Sequence, residues 1–227
     1  MYQYIKEQLI KVREEIALTA EQAGMEPDSV KLLAVSKTFP AEAIVAAYEA
    51  GQRLFGENRV QELNSKASEL PDDIKWHLIG HLQNNKVSNA LEYVSMIHSV
   101  DSKKLLDRIN RIAGEKKLTV NLLFEVNISG ENSKFGMADR IAEELAEYSF
   151  TLDNVQLKGL MTMAPFGAEE YELRNIFSSL RILKEKIENN NAVTLPELSM
   201  GMSSDFREAV KEGATLVRIG TAIFGKR

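Results

Sequence analysis

Two cations carry most of the chemical interest in this sequence, Lys37 and Arg218. Lys37 follows the apolar run Leu32-Leu33-Ala34-Val35. An amine at the end of a buried strand is partly desolvated, which disfavours its charged form. The free amine is a nucleophile toward an aldehyde. The competing reading is a lysine whose stem lies on apolar surface while its head reaches water. Arg218 interrupts another apolar run, Leu216-Val217-Arg218-Ile219. A guanidinium buried there needs a partner, either a carboxylate or a ligand atom at a site mouth. Because arginine cannot release its proton, it would keep a heteroaromatic ring nitrogen unprotonated. Such a ring is a weaker electron sink than one paired with aspartate.

Two loops near the carboxyl end could hold an anion. One reads Ser199-Met200-Gly201-Met202-Ser203-Ser204-Asp205. Gly201 allows close backbone approach, and Ser203, Ser204 or Asp205 could cap the helix that follows. The amides of a helix start, together with a serine hydroxyl, attract anions. The other loop is Gly220-Thr221, with an amide and a hydroxyl of its own. A capped helix and a tight turn without any ligand would leave the same signature. The three histidines, His77, His81 and His98, have no metal-binding spacing. His77 and His98 fall inside strands and read as packed, satisfied groups, whereas His81 could reach a site mouth. Met161, Met163, Met200 and Met202 read as interior filling, with one or two against a ligand.

These residues need elements to position them. Short β-rich runs alternate with segments of helical period. After an amphipathic helix over Tyr2–Ala23, stopped by Gly24, the strand candidates are Val30–Ser36, Arg53–Gly56, Lys75–Ile79, Met96–Val100, Thr119–Val126, Gln156–Met161, Glu197–Met200 and Leu216–Ile219. The clearest helices are Ala41–Ala50, Val60–Leu70, Ser102–Gly114, Ala138–Tyr148, Ala168–Asn189 and Phe206–Glu212. Near-continuous apolar strands are those of a parallel sheet buried on both faces. Eight strand–helix units predict a closed α/β barrel, (β/α)8, with an extra N-terminal helix. No G-x-G-x-x-G follows the first strand and there is no Walker A motif, which weighs against an open nucleotide-binding sheet. In such a barrel, chemistry sits where the strands end. Those ends supply Lys37, Asn58, His81, Asp101, Asn127, Thr162, Ser203, Arg218 and Thr221.

The chain has 227 residues, 44% hydrophobic and 27% charged, with a net charge of -5. That is the composition of one globular domain over 1–227. With no cysteine, the core must hold without disulfides. The acidic balance argues against nucleic acid as a partner. Met1–Ala20 is charged throughout and lacks the features of a signal peptide, and no apolar run is long enough to span a membrane. A cytoplasmic protein is expected, and the Asn127-Ile128-Ser129 sequon is expected to stay unmodified.

Taken together, several strings resemble one family. They are Ala34-Val35-Ser36-Lys37-Thr38, Phe55-Gly56-Glu57-Asn58 with Val60-Gln61-Glu62, and Trp76-His77-Leu78-Ile79-Gly80-His81-Leu82-Gln83 with Asn85-Lys86. They continue through Ser99-Val100-Asp101, Glu125-Val126-Asn127 to Lys134 and Gly136, and Gly159-Leu160-Met161-Thr162-Met163. Leu198-Ser199-Met200-Gly201-Met202-Ser203 with Asp205, and Val217-Arg218-Ile219-Gly220-Thr221 to Phe224-Gly225, complete the set. The chain is similar to the pyridoxal phosphate homeostasis proteins, small relatives of the alanine racemase N-terminal barrel. The resemblance implies pyridoxal 5′-phosphate held as a Schiff base on Lys37, with Arg218 facing the pyridine nitrogen. It implies that Ser203, Gly220 and Thr221 bind the phosphate and that Asn58 lies beside the ring or its phenolic oxygen. Arg59 reads as a variable surface position.

Racemisation needs acid/base groups on both faces of the cofactor. The racemases of this resemblance take the second from a tyrosine of an additional domain. Here the sequence stops at Lys226-Arg227, soon after the last strand, and the six tyrosines fall mostly in helices. The expectation is therefore a monomeric carrier or buffer of the cofactor, not an enzyme. Apo-enzymes that use pyridoxal phosphate would be its partners, and a small amino-acid racemase is the alternative.

Overall fold

Eight parallel strands close into a barrel in strict chain order in the computed structural model, which describes residues 2–130 and 136–225. They are β1 (Lys31–Val35), β2 (Leu54–Glu57), β3 (Lys75–Leu78), β4 (Val94–Val100), β5 (Val120–Glu125), β6 (Val155–Met161), β7 (Glu197–Ser199) and β8 (Leu216–Ile219). The ring closes where β8 pairs with β1, with Lys31 opposite Leu216 and Ala34 opposite Ile219. The barrel and all eight expected strands are present, with ends moved by one or two residues.

The helices are α1 (Gln3–Gln22), α2 (Ala41–Glu49), α3 (Val60–Ala67), α4 (Val87–Ala90), α5 (Lys103–Glu115), α6 (Asp139–Ser149), α7 (Glu170–Asn191), α8 (Phe206–Lys211) and α9 (Thr221–Phe224). The extra N-terminal helix α1 buries Ile5, Leu9, Val12, Ile16 and Ala20, one stripe at helical spacing. It stops at Gly24, where φ is +74° and the Met25 amide returns to the Ala20 carbonyl. The charged run after Glu169 is the solvated face of α7, opened by a capping box between Glu169 and Glu172. The four-residue helices α4 and α9 are too short to leave a periodic pattern, and the sequence reading missed both.

Alternation along each strand separates two cores. Leu32, Ala34, Phe55, Trp76, Leu78, Leu122, Phe124, Leu198, Val217 and Ile219 pack with the helices in one large cluster. Fully burying a leucine or phenylalanine is worth about 1.5–3 kcal/mol, so this layer carries much of the stability. The residues between them face inward. On β1 the inward row is Leu33, Val35 and then Lys37; on β5 it is Leu123 and then Glu125; on β8 it is Leu216, Arg218 and then Gly220. Met96, Leu123 and Met161 form a small apolar plug inside the barrel. β6 can lie close against β7 because position 159 is glycine; a Cβ there would sit 1.8 Å from the Glu197 carbonyl oxygen. Among the described residues no helix is long and apolar enough to cross a membrane.

Candidate functional site

The inward rows emerge at the carboxyl ends of the strands around one cleft of about 660 Å³. Lys37, Asn58, Ser203, Arg218, Gly220 and Thr221 all line it, so the structure brings the six expected residues together. His81, Met163 and Met202 line it too, while Met161 and Met200 are buried. None of the described tyrosines does. Lys134 lies outside the described residues.

Lys37 is half-buried and occupies a tight turn. The Phe39 amide donates to the Ser36 carbonyl at 3.0 Å, leaving Lys37 and Thr38 as the central pair. Phe39 packs its ring on Phe224 of α9, with centroids 5.2 Å apart. The lysine turn is thereby fastened to the turn after β8. Tyr4 of α1 supports the same place, donating to the Phe224 carbonyl at 2.7 Å.

The anion corner joins the loops after β7 and β8. Gly201 has φ +88°, and a Cβ there would meet that of Ala209 at 2.6 Å, so this turn requires glycine. The expected side-chain cap on α8 is absent. The Asp205 carboxylate instead turns back to accept the Met202 amide, which tightens the loop. Ser203 points across to α9, where its hydroxyl oxygen accepts the Ala222 amide at a long 3.4 Å. The amides of Ile223 and Phe224 close onto the Gly220 carbonyl, so the earlier amides of this turn precede the helical ladder. One hydroxyl, one weakly used amide and a glycine turn therefore meet at one edge of the cleft.

Arg218 is only 4% exposed. Its Nη1 donates to Ser199 Oγ at 2.7 Å and its Nη2 to the Thr162 carbonyl at 2.8 Å. Both partners are neutral, and among the described residues no carboxylate lies in ion-pair contact with it. Of the two sequence readings, the buried ion pair is not found among the described residues. Burial pulls it down to about 10, with attraction to Asp205 and Glu125 opposing, so it stays a cationic donor at neutral pH. Behind it, Ser199 Oγ lies 3.0 Å from His98 Nδ1, and His98 Nε2 lies 2.9 Å from His77 Nδ1. Burial holds both imidazoles neutral, His77 at about 3. They are satisfied interior groups, as their placement in strands suggested.

The sequence reading assigned Asn127 to the end of β5. The residue that reaches the cleft is Glu125, on the inward row two places after Leu123. The Asn127 amide instead donates to the Met137 carbonyl beyond the strand end. Glu125 is 3% exposed, and its backbone carbonyl accepts the Met137 amide at 2.9 Å while its carboxyl lines the cleft. Burial, and then repulsion from Asp101, push its carboxyl up to about 7. β5 stands opposite β1 in an eight-strand ring, so this carboxyl faces the Lys37 side across the mouth. On the wall between them, His81 Nδ1 lies 3.5 Å from Asp101 Oδ2.

A half-buried amine, a buried guanidinium with spare donors and an anion corner fit a small phosphorylated aldehyde with an aromatic ring nitrogen. A barrel whose strand ends are equipped in this way is of the alanine racemase N-terminal domain type, and the model of that family matches residues 9–227. A relative from Aquifex aeolicus named pyridoxal phosphate homeostasis protein is 44% identical over 222 residues, 97% of each chain. Its namesake from Escherichia coli (strain K12) is 37% identical over 235 residues, 98% of this chain and 97% of that one. The chain belongs to the pyridoxal phosphate homeostasis protein family. It is also similar to the structure of PipY of Synechococcus elongatus PCC7942 with PLP bound, with 42% identity, a TM-score of 0.87, and cover of 97% of this chain and 100% of that one. An alanine racemase from Corynebacterium glutamicum shares the fold at 13% identity and a TM-score of 0.69, over 93% of this chain and 60% of that one.

Proposed function

We propose that residues 1–227 act as one pyridoxal 5′-phosphate-binding barrel that carries or buffers the cofactor in vitamin B6 homeostasis. Lys37 would hold the cofactor through its Nζ, the amine condensing with the aldehyde and releasing water. Arg218 would donate to the ring nitrogen. Ser203, Gly220 and Thr221 would take the phosphate, and Asn58 would flank the ring. Bound cofactor supplies an electrophilic carbon and an electron-withdrawing ring; the chain supplies the amine, the donors and the pocket. The observation that carries the reading is Arg218, a buried cation at the cleft whose described partners are all neutral. The relatives' names and the PLP-bound PipY structure support it. Delivery to apo-enzymes, a monomeric state and a cytoplasmic location belong to the same reading.

The test is spectroscopic. Purified protein should be yellow. Borohydride should bleach the visible band, and peptide mass mapping should place the reduced adduct on Lys37. Lys37→Ala should lose both the colour and delivery of cofactor to an apo-enzyme. Unchanged delivery by that variant would remove the carrier reading.

Glu125 favours a second reading, a small racemase, because a cleft carboxyl at about 7 is suited to proton transfer near neutral pH. The two readings separate in deuterated water. A carrier exchanges the α-hydrogen of no amino acid at a useful rate, whereas a racemase does so and loses the activity with Glu125→Gln.

A further inference from the structure

The backbone on both sides of Lys37 is held by a buried charged cluster that never reaches the cleft. Lys66 of α3, 8% exposed, places its Nζ 2.9 Å from the Ser36 carbonyl, 2.8 Å from Glu57 Oε1 and 2.7 Å from Glu62 Oε1. Its three protons thus meet three acceptors. Ser36 Oγ donates to the same Glu57 oxygen at 2.7 Å. Glu62 also accepts the Thr38 amide. Thr38 has φ +69°, in the third position of a turn that ordinarily recruits glycine. A β-branched residue keeps that conformation only where its surroundings impose it. Glu57 is fully buried, and its Oε2 has no partner among the described residues. Such a cluster is costly to assemble as mere core, and an apolar replacement of similar volume is often as stable.

We infer that Lys66, Glu57 and Glu62 are positioning residues that lock the Ser36–Phe39 turn so that the Lys37 amine is presented to an incoming aldehyde. The proposal rests on the reading of Lys37 given above. Lys66 grips the carbonyl before Lys37, and Glu62 grips the amide after it. Either grip alone would leave the turn free to relax toward ordinary φ. An amine on a relaxed turn would still meet the ligand but would be misplaced by a fraction of an ångström to an ångström, enough to slow a reaction roughly a hundredfold.

The experiment compares covalent capture with plain binding. Stopped-flow absorbance gives the rate at which apo-protein condenses with pyridoxal 5′-phosphate. Calorimetry gives its affinity for 4′-deoxypyridoxine 5′-phosphate, which has the ring and phosphate but no aldehyde. Lys66→Met should slow capture roughly a hundredfold and Glu62→Ala about tenfold, with analogue affinity within about twofold of wild type. Wild-type capture rates in both variants would overturn the proposal. So would a parallel fall of capture and analogue affinity in a variant that melts like wild type, because the cluster would then shape the whole mouth. If Lys66→Met does not fold, Glu62→Ala, at the edge of the cluster, decides alone. Lys37→Ala is the control: if it captures normally, the Lys37 reading itself fails. If it does not, while Lys66→Met and Glu62→Ala capture at the wild-type rate, only the positioning role fails.

Discussion

The two ends of the barrel interior treat charge in opposite ways. At the amino end, Glu197 on β7 accepts a hydrogen bond from Lys31 of β1 and another from Thr215 Oγ1 at 3.0 Å. The charge there is paired and the acceptors are used. At the carboxyl end, the Arg218 guanidinium rests on a hydroxyl and a carbonyl, and the buried Glu125 carboxyl has no ion pair among the described residues. Unpaired buried charge is unfavourable for the fold and useful for a ligand. The contrast locates the ligand end of the barrel without reference to any relative.

Breaking the contrast at Arg218 should have the largest effect. Arg218→Met removes a charged donor, which is worth about 1.5–3 kcal/mol and lowers cofactor affinity about ten- to hundredfold in a titration of apo-protein. The apo-protein should melt no lower than wild type, since a buried cation without an ion pair is exchanged for apolar volume. A lower melting temperature would mean that Arg218 is structural.

Next comes Glu125. Its folded pKa lies above its unfolded value, so the folded state binds more protons between them. The stability it allows is complete below the unfolded value and is lost as pH rises through about 7. Relative to Glu125→Gln, wild-type apo-protein should lose about 2 kcal/mol between about pH 5 and pH 8 in urea titrations. Parallel pH profiles for the two proteins would show that the carboxyl titrates normally. The smallest effect belongs to the paired end. Glu197→Gln should cost about 1 kcal/mol, a fall of about 2–4 °C in Tm, and leave cofactor affinity unchanged.

Much of this was legible in the sequence because strand alternation is legible. Once Leu32-Leu33-Ala34-Val35 is a strand with Leu33 inward, Lys37 must follow on the same row. The same parity places Arg218 between Leu216 and Gly220. Parity does not separate Glu125 from Asn127, which fall on the same row; what distinguishes them is that β5 ends at Glu125, earlier than its apolar run suggests. The Glu62–Lys66 pair has visible helical spacing, but its meeting with Glu57 and the Ser36 carbonyl depends on how α3 lies against β1 and β2. The contact between His77 and His98 depends on strand pairing that shifts register beside His77. No local pattern encodes either.

The file of groups behind Arg218 has one further consequence. A guanidinium cannot accept, so the Ser199 oxygen must receive from it, which leaves the Ser199 proton available to His98 Nδ1. When Ser199 donates in that way, His98 carries its proton on Nε2 and donates to His77 Nδ1. A base arriving at the head of this file meets Arg218, which offers a hydrogen and has no lone pair to give.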